Sequence, residues 1–149
     1  MQILNNRQKN QGRGFTLMEL TVVVSLILIL LGVGMTNYIT QLKRSRDGRR
    51  KSDLEQVRAA LEMIRTDCGS YNYTPPWGSE WTVDCGSGDN TYIQVTPQDP
   101  LNPRYNYVFS YSAADDTYSL CTYLEKGSGD VGCGSCGSGE NCNYKITNP

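Results

Sequence analysis

An α+β fold is what this sequence of 149 residues predicts. It is one long N-terminal helix, apolar in its first half and amphipathic in its second, packed on a small antiparallel β-sheet. Three observations carry that expectation. Residues 15–39 are almost continuously apolar. Leu54, Val57, Leu61 and Ile64 then recur at spacings of three and four, which places them on one face of a helix. Beyond Cys68 the helical period gives way to glycines, prolines and tyrosine-rich alternation, the marks of turns and strands. One helix followed by a run of strands is the order of an α+β domain.

Charge is distributed as unevenly as hydropathy. The net charge is −1, but residues 43–51 hold six basic side chains and one acidic one. From Asp67 onward ten acidic residues face three basic ones, 3 − 10 = −7. Histidine is absent. That removes the commonest general base and metal ligand, and with it a Ser-His-Asp triad or a Cys-His dyad. The composition therefore argues against an enzyme.

The elements follow in chain order. Arg7, Lys9 and Arg13 make the first 14 residues basic, with no acidic residue among them. The apolar run from Phe15 to Ile39 would be about 37 Å long as a helix, enough for a hydrocarbon core of about 30 Å. Small residues precede this run at Gly12 and Gly14 rather than following it as in an ordinary secretory signal. Glu19 lies near its start. A carboxylate there either marks a function with a nearby partner or sits solvated at headgroup level.

The segment Arg13-Gly14-Phe15-Thr16-Leu17-Met18-Glu19-Leu20 resembles the leader and helix start of type IV pilins and type II secretion pseudopilins. The resemblance implies a pilin-like fold and a non-enzymatic, polymerising subunit. It implies a leader over 1–14, cut by a prepilin peptidase between Gly14 and Phe15, with N-methylation of Phe15. It implies pairing of Glu19 with the Phe15 amine of a neighbouring subunit. The implied partners are further copies of the chain, membrane lipid before assembly, and an inner-membrane assembly platform with its ATPase. The implied location is a single-pass inner-membrane precursor with an extracytoplasmic head, then a surface or periplasmic filament. A minor or DNA-uptake pilin and a short type II secretion pseudopilus subunit are the alternatives. Two features depart from the pattern. No proline interrupts the apolar helix, where Gly32 and Gly34 offer a weak point or a packing face instead. The basic run at 43–51 would also lie outside the cytoplasm, against the positive-inside trend.

The amphipathic helix is expected over 40–66, with Glu55, Arg58, Glu62 and Arg65 opposite the apolar stripe and Gly69 as a cap. The basic run Lys43, Arg44, Arg46, Arg49, Arg50, Lys51 suits anionic headgroups or the acidic heads of neighbouring subunits. DNA is disfavoured, because phosphate repels the acidic head. The head then occupies 67–149. Residues 71–90 read as an irregular loop with Trp77 and Trp81 as lids on the sheet. Strands are expected at Tyr92–Val95, Tyr105–Tyr111 and Tyr118–Leu124, with a hairpin turn over Ala113–Asp116. Pro97-Gln98-Asp99-Pro100 ahead of the tyrosine-rich strands resembles the head of major pseudopilins.

Six cysteines, Cys68, Cys85, Cys121, Cys133, Cys136 and Cys142, all follow the apolar segment. An even count in a small head favours disulfides and an oxidising compartment, with fifteen pairings open. Cys133 and Cys136 also have zinc-knuckle or redox spacing, which that compartment opposes. No cofactor is expected. Calcium is left open, with Asp115, Asp116 and Asp130 as candidate ligands.

Overall fold

The computed structural model describes residues 14–86 and 88–148, excluding the side chains at 33–37. The leader expected over 1–14 lies outside the described residues apart from Gly14, and so does the packing role expected of Gly34. The structure is α+β. Helix α1 runs Leu17–Cys68, within two residues of the expected Phe15–Thr66 at each end. The chain divides into two compact units at Ile39/Thr40, and α1 contributes to both.

The second unit begins at Thr40. Its sheet order is β3-β4-β5, all antiparallel, with β3 at Val108–Ser112, β4 at Thr117–Thr122 and β5 at Tyr144–Thr147. A separate antiparallel pair joins β1, Trp81–Asp84, to β2, Asp89–Ile93. The predicted stripe forms the helical side of the core: Leu54, Val57, Leu61 and Ile64 are fully buried. Trp81, Val83, Ile93, Tyr118, Leu120 and Ile146 close over it from the strands, and Tyr107 from just before β3. Alternation explains which residues turn inward. Tyr118 and Leu120 lie two apart on β4, so both side chains leave the same face.

The strand expectations need correction, first in their bounds: the strand expected at Tyr105–Tyr111 forms at Val108–Ser112, and the one expected at Tyr118–Leu124 forms at Thr117–Thr122. Residues 71–90 are not wholly irregular. Trp81-Thr82-Val83-Asp84 alternates buried and exposed, and the run is too short to stand out among the flanking glycines. Trp81 is consequently core rather than lid, while Trp77 stacks edge-on against Tyr107 at 5.4 Å between ring centres. The expected strand at Tyr92–Val95 is shifted to Asp89–Ile93, leaving Val95 exposed. Strand β5 was not expected, since Ile146 is its single fully inward residue. The turn at 113–116 forms as expected, with Asp116 in the left-handed region at φ 48°.

Candidate assembly segment and buried ionic cluster

In the first unit, Thr16 starts the helix. Its hydroxyl accepts the Glu19 backbone N–H at 3.2 Å. The Glu19 carboxylate in turn accepts the Thr16 backbone N–H and hydroxyl, each at 3.0 Å. This reciprocal arrangement is a capping box, satisfying donors that every helix start leaves free. The T-x-x-E spacing that forms it is legible in the sequence, although the expectation for Glu19 concerned an intermolecular partner. Gly14 and Phe15 precede the helix and are exposed, Phe15 to 90%.

From Leu17 to Leu31 apolar side chains project all around the helix and are exposed, among them Leu20, Leu26, Leu28 and Leu30. Soluble monomers rarely carry so large a contiguous apolar surface, so lipid or other protein must cover it. No helix among the described residues is long and apolar enough to cross a membrane. Leu17–Gly32 amounts to about 24 Å at the helical rise, and the remainder of the expected span includes 33–37.

In the second unit, the buried stripe does not start at Leu54. Its three-four spacing continues back through Arg50 and Asp47, and Arg50 is 0% exposed. A buried guanidinium must be paired. Arg50 grips Asp99 with two parallel hydrogen bonds, at 2.7 and 3.1 Å. It also reaches Asp47 at 3.0 Å and Glu125 at 3.3 Å. Arg46 makes a second two-pronged contact with Glu125, at 2.8 Å on one prong. Asp47 accepts the backbone N–H groups of Glu125 and Lys126, both at 2.9 Å, and Asp99 accepts that of Leu101 at 2.8 Å. One helical turn thus fastens two separate loops.

Electrostatics follows from that geometry. Burial works against the charge on Arg50, but the hydrogen bonds and attraction of Asp99, Asp47 and Glu125 outweigh it and raise its pKa. The Arg46 contact holds the Glu125 carboxyl below its ordinary 4.5, against partial burial. Alongside, Tyr107 donates to Asp53 at 2.7 Å, and burial raises both pKa values. These contacts revise the reading of the basic run. Arg46 and Arg50 turn inward to acids of their own head rather than to a neighbour or to lipid.

All six cysteines are paired: Cys68–Cys85, Cys121–Cys133 and Cys136–Cys142. Cys133 and Cys136 bond to different partners, so the C-x-x-C is neither a zinc knuckle nor a redox pair. The candidate calcium ligands are not brought together. Asp116 pairs with Arg65 at 3.0 Å and accepts the Tyr111 hydroxyl at 2.9 Å. Asp130 accepts the Gly132 N–H and an Asn141 amide proton, both at 2.8 Å, and Asp115 is exposed on the hairpin turn. Among the described residues no three acidic or cysteine side chains are grouped to hold a metal ion.

A capped apolar helix thus leads a disulfide-tied α+β head. Among known proteins, the chain is similar to type II secretion system core proteins and to type IV fimbrial proteins. It is 28% identical over 132 residues to the type II secretion system core protein G of Pseudomonas aeruginosa, covering 83% of this chain and 92% of that protein. The type II secretion system core protein G of Aeromonas hydrophila is 28% identical over 106 residues, 66% of this chain and 73% of that protein. A type IV major fimbrial protein FimA of Dichelobacter nodosus is 37% identical over 59 residues, 40% and 38% of the two chains. No family model and no solved structure matches.

Proposed function

We propose that this chain is a structural subunit, a pilin or major pseudopilin, that polymerises through its N-terminal helix into an extracytoplasmic filament. The observation that carries the reading is the exposed apolar surface from Leu17 to Leu31. In the precursor, lipid covers it as a single span over residues 15–39. In the filament, the same residues of other copies do. The broad coverage of the two core proteins G favours the secretion-type branch over a minor or DNA-uptake pilin. Both kinds of relative bear names of structural components, in keeping with a chain that lacks histidine.

Processing between Gly14 and Phe15 by a prepilin peptidase would free an amine beside the Thr16–Glu19 box, and N-methylation would keep it cationic. Glu19 would then exchange its Thr16 contacts for the amine of a neighbouring Phe15. In a low-dielectric filament core an unmatched charge is costly, so this pairing selects one register. The test is Glu19→Ala in cells carrying the assembly machinery. The expected outcome is loss of sheared filaments, with an intact disulfide-bonded head and a methylated Phe15 N-terminus. Filament yield equal to the unaltered protein would remove Glu19 from assembly.

A further inference from the structure

With Arg46 and Arg50 turned inward, the remaining cations of the basic run are left to the surface. Arg44 and Lys51 sit seven residues apart, on one flank of α1, and Lys126 joins them across Gly48 and Gly127. Together they line an open groove of about 370 Å³. None of the three forms an ion pair among the described residues. Lys51 only overlies the Tyr144 ring at 5.2 Å, and Asp47 at the groove floor is already taken by Arg50 and two backbone N–H groups. Three cations around one carboxylate that is already paired leave a net positive, anion-binding surface.

The same head carries the matching surface. No lysine or arginine lies between Arg65 and Arg104, whereas Asp67, Glu80, Asp84 and Asp89 do. On the β1–β2 hairpin, Asp84 and Asp89 stand directly opposite each other in the strand register. Like charges in that position repel, and no cation of the chain pairs with either among the described residues. Asp84 is partly compensated by the Gly86 and Gly88 N–H groups, at 2.7 and 3.2 Å. The Cys68–Cys85 bond ties this hairpin tip to the C-terminal end of α1. Lys51 and Cys68 are 17 residues apart on one helix, about 25 Å, so one chain does not close its own groove with its own hairpin. Complementary patches at opposite ends of one element make a heterologous, head-to-tail contact, which builds an open filament when its rotation does not close.

We infer that the Arg44–Lys51–Lys126 groove receives the acidic β1–β2 hairpin, Asp84 and Asp89 foremost, of a second copy of this chain. The inference rests on the filament reading for its setting, yet the two fail separately. The full-length chain, in membranes as an equal mixture of isotopically light and heavy protein, is treated with a zero-length carbodiimide. Mixed-isotope links from Lys51 or Lys126 to Asp84 or Asp89 are expected, with Lys43 and Lys145 as internal controls. Lys126→Glu and Asp89→Lys should each lower those links about tenfold, and the two combined should restore them by exchanging the charges. Links confined to Lys43 and Lys145, or a double variant no better than the singles, would overturn the contact. So would groove variants that lose only adhesion to phosphatidylglycerol vesicles, since the groove would then be a headgroup site. Links without any filament would keep the contact and sink the filament reading. Filaments without the links would do the reverse.

Discussion

Two stretches of the same helix meet water in opposite ways. Residues 17–31 present apolar side chains on every side, and none is buried. Residues 47–64 present one inward line, Asp47, Arg50, Leu54, Val57, Ala60, Leu61 and Ile64, and leave the rest mostly polar. The second stretch is complete within one chain, because strands and loops supply its partners. The first stays exposed along its whole length, and the proposed filament supplies its partners from outside. A helix thus records in its periodicity whether its partner lies in the same chain: a stripe answers a sheet, and an unbroken apolar surface answers a surrounding.

The sharpest way to break that comparison is at Arg50. Arg50→Ala leaves Asp47, Asp99 and Glu125 close together without their shared cation, and should cost the head about 3–5 kcal/mol in chemical unfolding. Leu28→Ala, on the exposed stretch, should leave the same unfolding midpoint unmoved. Equal losses from both would mean that the two stretches are not energetically distinct. A smaller effect is expected from the C-terminal loop, where Cys121→Ser with Cys133→Ser should cost about 2–3 kcal/mol. The same readout applies, and an unchanged midpoint would mean that the remaining contacts hold the loop unaided. The smallest is a pH effect. Glu125 is held below its ordinary 4.5 when folded, so its stabilisation is present above that value and fades as pH falls through the lowered one. Glu125→Gln should flatten the acid limb of a stability profile, and an unchanged limb would assign acid sensitivity to other carboxylates.

Much of this architecture was legible in the residues. The apolar run, the three-four stripe and the tyrosine alternation are periodic signals; the first two became one helix, and the third became strands at Val108–Ser112 and Thr117–Thr122, offset from the expected bounds. The inward turn of Arg50 was hidden by its neighbours. Six cations in nine residues read as a solvated surface, although Asp47 and Arg50 continue the spacing of the stripe below them. Their partners, Asp99 and Glu125, lie 49 and 75 residues away from Arg50, and such pairs have no local signature. Strands β1 and β5 were missed for a different reason: each has four residues, too few for a period to declare itself. The disulfide pairing was open for a third, since spacing alone does not choose among fifteen arrangements.

The arrangement found has a consequence for how the head is made. Each cysteine is bonded to the next one along the chain: the first with the second, the third with the fourth, the fifth with the sixth. A polypeptide threaded outward from its N-terminal end delivers every thiol to its proper mate before a competitor emerges. Oxidation in order of arrival and the native bonding are then the same thing, so a head exported in that order would need no reshuffling step.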